Sequence, residues 1–272
     1  MMAETLARDL TDAGVEVLLP SDGDADPWES WRRLGAEADF LWPIAPETGG
    51  ILERAAAEAV RPALVSQPSA LAIARSKYAT SRHLAAAGIR VVPSFLESDP
   101  LPASATGWVV KPDDGAGADE TRFTKNPEPR AGAVAQPFLP GRAASFSMLA
   151  QEGKAWLLSC NLQEVDCRDG VFSYRGGVVG GAEERRAEWT GLAEAIAASL
   201  PGLRFYAGVD LIETEAGPVV LEINPRLTTS YVGLRDSLGL NPAALVLGLL
   251  EQPLSALIRP LAPRAVTVRV PR

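Results

Sequence analysis

Apolar positions along the first seventy residues alternate between two spacings. In Met2 to Ala13, Leu6 and Leu10 fall on one side and predict an amphipathic helix that Gly14 ends. Val15 to Leu19 predicts a buried strand, Pro27 to Ala38 a second helix, and Phe40-Leu41-Trp42 a short strand closed by Pro43. Glu47 to Val60 then predicts a third helix and Ala63 to Ser66 a third strand. Strands and helices alternating at this spacing imply a parallel sheet with crossover helices. Layers of this kind ordinarily begin with a strand, whereas this chain opens on a helix. A first strand is therefore expected to be missing, as from a late start site or a truncated relative.

Two further helices, Ser69 to Ala74 and Ser76 to Ala87, precede a strand at Arg90 to Pro93, and Gly88 stops the second of them. Beyond this point the pattern turns β-rich. Strands are expected at Trp108 to Lys111, Glu120 to Phe123, Ala133 to Phe138, Ala144 to Gln151, Lys154 to Val165 and Val171 to Val179. A long helix, Glu183 to Leu200, lies between Gly180-Gly181 and Pro201-Gly202. A hairpin follows, Ala207 to Ile212 and Pro218 to Ile223 about the turn Glu215-Ala216-Gly217, then helices near 231–237 and 241–250 and a last strand, Ala265 to Val270. The expected class is mixed, α/β with α+β. The expected division is an N-terminal parallel α/β region at 1–70, linker helices with a small central subdomain at 71–139, and a C-terminal subdomain at 140–272.

Composition narrows the function more than the fold. The 272 residues are 47% hydrophobic and 22% charged, with 26 Lys and Arg against 34 Asp and Glu, for a net charge of −8. That balance argues against nucleic acid as a partner. No apolar run approaches the ~18 residues of a membrane span. The first ten residues carry Glu4 and Asp9 and no apolar signal core, so a cytoplasmic protein that engages no membrane is expected. Cys160 and Cys167 lack the spacing of a metal site, and the single histidine, His83, in an Ala-rich helix, is expected to be structural.

The candidate chemistry gathers on the hairpin. Asp210 interrupts the apolar strand Val209-Asp210-Leu211-Ile212, and Glu222 stands between Leu221 and Ile223. Glu222 and Asn224 are two apart, which puts both on one face of a strand. A plain solvated hairpin is the competing reading. Against it, a buried carboxylate needs a partner, and oxygen ligands of this kind suit Mg²⁺ together with substrate phosphates. Arg226 follows at the strand's end, where a guanidinium can pair with phosphate oxygens.

With three other segments in the same order, the hairpin resembles the ATP-grasp superfamily of carboxylate–amine ligases, over roughly residues 70 to 235. Asp210 and Glu222-Ile223-Asn224-Pro225-Arg226 resemble its metal-binding strands. Val109-Val110-Lys111-Pro112 with Asp113-Asp114-Gly115-Ala116-Gly117 resembles its phosphate lysine and Gly-rich loop, Arg75-Ser76-Lys77 its second lysine, and Gln136-Pro137-Phe138-Leu139 its adenine hinge. The resemblance implies an ATP-grasp fold behind a pre-ATP-grasp domain, with ATP and Mg²⁺ (or Mn²⁺) as cofactors. It implies Lys77, Lys111, Gly115, Gly117, Gln136, Pro137 and Leu139 at the nucleotide, Asp210, Glu222 and Asn224 at the metal, and Lys111 and Arg226 in phosphoryl transfer. Pro137 keeps the carbonyl such a hinge needs, and Leu139 keeps the N–H. Read locally, Asp113 to Gly117 is also a β-turn and Lys77 also a solvated first-turn lysine.

Three features depart from that family. Ala143 stands where a ribose-binding glutamate is common, Thr124 to Ala133 is too short for the usual central helix, and Gly208 replaces the arginine of relatives that join two alanines. Gly208 to Ile212, Asn224 to Tyr231, Ser159 to Gln163 and Tyr174 to Gly177 are most similar to the branch that joins tyramine to L-glutamate in methanofuran biosynthesis. That likeness implies amino-acid and amine substrates, with Arg175, Thr228, Thr229 and Ser230 beside them. Thr229 or Ser230 is equally a helix N-cap and Arg175 equally a surface residue. Other amino-acid ligases, and a nucleotide-binding protein without catalysis, stay open as readings, as does a homodimer. A dinucleotide-binding oxidoreductase would need a Gly-x-Gly-x-x-Gly turn after its first strand, and the chain has none.

Overall fold

The computed structural model describes residues 1–20, 26–103, 106–115, 120–128 and 130–270. Its N-terminal layer holds α1 (Met2–Asp12), α2 (Pro27–Glu37) and α3 (Ile51–Ala57), and then α4 (Pro68–Arg75) and α5 (Lys77–Ala86) lead into the sheet. The antiparallel core comprises β1 (Trp108–Pro112), β2 (Arg122–Thr124), β3 (Ala133–Pro137), β4 (Arg142–Gln151), β5 (Lys154–Arg168) and β6 (Val171–Val179). A short 3₁₀ turn (Glu183–Arg185) opens α6 (Arg186–Ser199), after which come β7 (Phe205–Thr214) and β8 (Gly217–Asn224). The chain ends with α7 (Tyr231–Leu238), α8 (Pro242–Glu251), α9 (Leu254–Leu257) and β9 (Val266–Arg269).

These strands form one sheet in the order β3-β1-β2-β6-β5-β4-β7-β8, with β9 also pairing to β6. Side-chain alternation gives the sheet two apolar faces. Phe146, Leu157, Ala207, Val209, Leu211, Val220 and Ile223 pack under α4, α5 and α6, around the fully buried Trp189. Leu149, Trp156, Leu158 and Tyr206 face the other way, against α1, α7 and α8, around Tyr231.

The N-terminal layer contains less regular strand than its apolar pattern predicts. Residues 15–19 form no strand, and Leu18 and Leu19 are exposed. The expected strands at Phe40–Trp42 and Ala63–Ser66 shrink to a single parallel bridge, Leu41↔Ala63. Pro43 and Pro62 flank that bridge and supply no N–H to extend it. Arg90 to Pro93 likewise contributes one parallel bridge, Val91↔Val220. The third helix starts late, because Gly49 and Gly50 take φ of 62° and 70° in a 3₁₀ turn before α3. No described residue between β2 and β3 is helical, as the short connection predicts.

Candidate active site

A cavity of about 470 Å³ opens between β1 and β3 on one side and the β7–β8 hairpin on the other. On β7, Gly208, Asp210 and Ile212 face it while Val209 and Leu211 face the core, the period of two expected of a strand. On β8 the alternation is interrupted. Asp210 pairs with Glu222 but Leu211 pairs with Val220, so Leu221 is an extra, unpaired residue. This bulge turns Leu221, Glu222 and Asn224 toward the cavity while Val220 and Ile223 both stay in the core.

Asp210 and Glu222 therefore stand side by side, within hydrogen-bonding reach of one another. Burial, then repulsion from Glu222, pushes the Asp210 pKa up to about 8, so one carboxyl of the pair keeps its proton. Asp210 also accepts from Gln163 Nε2 at 2.9 Å and from Asn224 Nδ2 at 3.2 Å. Burial would raise Glu222 as well, but Lys77, Lys111 and the Asp210 proton hold it below the usual carboxylate value. Two carboxyls in one pocket with a proton between them have the charge deficit that a divalent cation removes. The Asn224 amide turns its oxygen to Arg226 Nη2 at 3.3 Å, and a half-turn would present that oxygen to a cation instead. The donor set is hard oxygen, which fits Mg²⁺ or Mn²⁺. Among the described residues no group of three or more His, Cys, Asp or Glu offers another metal site.

Three cations converge on this pair. Lys77 is the first residue of α5, whose cap is the Ser76 side chain accepting from Ala79 N. Its Nζ donates to Gly115 O at 2.5 Å and lies 3.5 Å from Glu222 Oε2. Lys111 is buried on β1, and burial pulls its pKa from 10.5 to about 8 despite the nearby Glu222. Arg226 is 13% exposed and is held by Glu47 Oε2 at 2.8 Å.

The start of the Gly-rich loop is tied to α5. Lys77 N donates to Asp113 O and Tyr78 N to Asp113 Oδ1. Gly115 lines the cavity, whereas Gly117 lies outside the described residues. At the other end Gln136, Pro137, Phe138 and Leu139 line the wall with Val92, Val109 and Ile212. Gln136 is buried and its Nε2 donates to Ser94 Oγ at 2.8 Å, so its Oε1 remains to accept.

Thr228, Thr229 and Ser230 also reach the cavity, and Ser230 stands at the N-cap of α7 without a capping side-chain hydrogen bond. Thr228 Oγ1 is bonded to Tyr206 Oη at 3.0 Å, and Tyr206 in turn to Ser147 Oγ at 2.9 Å. Arg175 is not brought to the site. It points away from the cavity, with Nε on Asp166 Oδ2 at 3.1 Å, because alternation along β6 sends Phe172 and Tyr174 inward in its place. Tyr174 bonds Thr229, and burial pushes its pKa up to about 12. Ala143 lines the cavity with no polar side chain. At Gly208 an added Cβ would lie 2.6 Å from Thr228 Cγ2, so Thr228 fills the space a larger residue would need.

Residue types and spacing point to none of Glu47, Ser94 or the cavity-lining Ser145. Glu47 reaches the site from 179 residues away and no local pattern marks it. His83 is structural, its Nε2 2.8 Å from Ser199 O. Cys160 and Cys167 are both free. No helix of the described residues is long and apolar enough to cross a membrane.

Two domain families match the chain, a pre-ATP-grasp domain at residues 1–71 and an ATP-grasp domain at residues 74–230. Among curated proteins, the tyramine–L-glutamate ligase of Methanocaldococcus jannaschii is 32% identical over 130 residues, 48% of this chain and 39% of that protein. Its counterpart in Methanocaldococcus fervens is 32% identical over 128 residues, 47% of this chain and 40% of that protein. The matched segment thus spans about 40% of the length of these relatives. Among solved structures, an ATP-grasp superfamily protein from Archaeoglobus fulgidus aligns with a TM-score of 0.71 at 25% identity, covering 90% of this chain and 79% of that one. The L-amino acid ligase of Bacillus licheniformis aligns with a TM-score of 0.63 at 22% identity, covering 85% and 61%, a likeness of fold alone.

Proposed function

Because the chain belongs to the ATP-grasp family, we propose that it is an ATP-dependent carboxylate–amine ligase, joining the carboxylate of L-glutamate to an amine such as tyramine. One observation carries the reading: two adjacent, partly buried carboxyls, Asp210 and Glu222, face Lys77, Lys111 and Arg226 across one cavity. A carboxylate reacts poorly with an amine. In the proposed reaction its oxygen attacks the γ-phosphorus of ATP, the bond to the β-bridging oxygen breaks, and ADP leaves. The amine nitrogen then attacks the acyl carbon, phosphate departs, and the nitrogen loses a proton.

The chain's own part is positioning and charge. Gln136 Oε1, the Pro137 carbonyl and the Leu139 N–H offer the edge contacts that adenine needs, within an apolar slot. Lys77 and Lys111 place positive charge along the phosphates, and Arg226 does so at the transferring group. Asp210, Glu222 and Asn224 would hold Mg²⁺ or Mn²⁺, whose chemistry there is neutralisation of phosphate charge. Thr228, Thr229, Ser230 and Tyr174 form the polar end, suited to an amino-acid substrate. Shared identity with two tyramine–L-glutamate ligases supports that substrate pair.

The test is ADP release across a matrix of amino acids and amines that includes glutamate with tyramine. Release that needs both substrates and disappears in E222Q supports the reading. A full matrix with no substrate-dependent ADP overturns it. Tight binding of a non-hydrolysable ATP analogue in that case would mark a nucleotide-binding protein without catalysis.

A further inference from the structure

Among the described residues, a short turn of the N-terminal layer reaches the rim of the site and touches Arg226 and the loop that starts at Asp113. Glu47, 8% exposed, opens it, and its carboxylate accepts from Arg226 Nε at 2.8 Å. Two residues on, Gly49 N donates to Asp114 Oδ2 at 3.0 Å, in the loop whose Gly115 carbonyl receives Lys77. Gly49 and Gly50, at positive φ, let the chain fold back here and enter α3. From Glu47 the contacts continue inward, Arg226 Nη2 to Asn224 Oδ1 and Asn224 Nδ2 to Asp210 Oδ2.

We propose that Glu47 is the positioning residue for Arg226: it clamps one edge of the guanidinium so that the other presents to the transferring phosphoryl group. The donor arithmetic supports this. Arg226 has five N–H donors. Nε is held by Glu47 and one Nη1 hydrogen by Leu227 O at 3.1 Å, while the Nη2 hydrogen on Asn224 is freed when that amide turns its oxygen to a cation. At least one hydrogen remains on each Nη to meet phosphate oxygens. Without Glu47 the guanidinium can rotate about its last bonds, and those hydrogens lose their direction. Glu47 acts through Arg226, so its loss lowers turnover more than ATP binding. The proposal rests on the ligase reading, with Arg226 at the transferring group.

The test combines kinetics with a readout independent of turnover. In the ADP-release assay, E47A should lower kcat by about 10- to 100-fold while KM for ATP moves by less than about three-fold, the split expected when positioning and not binding is lost. E47Q, which keeps an acceptor oxygen at the same reach, should recover most of the loss. The double variant E47A/R226A should be no slower than R226A alone. Losses that multiply, or an E47A enzyme within about two-fold of wild type, would overturn the assignment. If E47A does not fold, E47D serves: its carboxylate falls one carbon short, and an unchanged kcat there counts equally against the proposal. Solvent exchange of the Arg226 Nε–H, followed by ¹⁵N NMR with R226K to assign the signal, should accelerate at least about ten-fold in E47A or E47D. Unchanged exchange overturns the clamp. If no substrate pair supports turnover, the ligase reading falls and the exchange rate alone decides the role of Glu47.

Discussion

Asp210 stands opposite Glu222 in the β7–β8 register, and the two carboxyl groups open onto the same cavity with a proton between them. The pairing makes the protein's stability depend on pH in a definite direction. Asp210 has a folded-state pKa of about 8 against 3.8 when unfolded. A group raised in this way stabilises fully below its unfolded value and loses that contribution as pH climbs through its folded one.

Stability without added cations should therefore fall from about pH 4 toward pH 8, and Mg²⁺ should restore more of it at the upper end. Lys111, with its pKa lowered from 10.5 to about 8, acts in the opposite sense, but between about 8 and 10.5, so the comparison belongs below 8. The rise in Tm on adding Mg²⁺ is expected to be several degrees larger at pH 7.5 than at pH 5, and D210N should flatten the difference. An equal shift at both values would place the cation elsewhere.

Gly208 and Thr228 should be energetically coupled. G208A pushes a methyl into Thr228 Cγ2 and is expected to cost about 1–3 kcal/mol in urea denaturation. Adding T228A should return most of that loss. If the two penalties simply sum, the contact does not govern this position.

Gln136 is expected to act on the nucleotide alone. Q136A removes the acceptor beside Pro137 and should raise KM for ATP about ten-fold with kcat little changed. Discrimination between ATP and GTP should fall along with it.

Arg175 and Tyr174 give the sharpest contrast between neighbours. R175A breaks a surface pair with Asp166 and should leave turnover within about two-fold. Tyr174 faces the cavity and bonds Thr229, so Y174F should raise KM for the amino acid about five- to ten-fold. The opposite pattern would return Arg175 to the substrate.

What the sequence made legible was set by local rules. Strand β6 lies at Val171–Val179 as its pattern predicts, and the Asp210–Glu222 hairpin could be seen because carboxylates inside apolar strands break their pattern. The bulge at Leu221 left no such mark, since Leu fits either face of a strand. Arg175 and Tyr174 are adjacent, so a shift of one position decides which reaches the cavity, and nothing local fixes that phase. Residues 15–19 have a strand's apolar content, but among the described residues no neighbouring strand supplies the hydrogen bonds of a sheet. Glu47 depends on a contact spanning 179 residues, beyond the reach of any spacing rule.

The most direct test follows oxygen from substrate to product. Glutamate labelled with oxygen-18 in its carboxylates, turned over with ATP and tyramine, should deliver a single labelled oxygen to the phosphate released, because the reacting carboxylate keeps one oxygen in the amide and gives the other to phosphorus. Amide formation with unlabelled phosphate would contradict transfer of the phosphoryl group to the carboxylate.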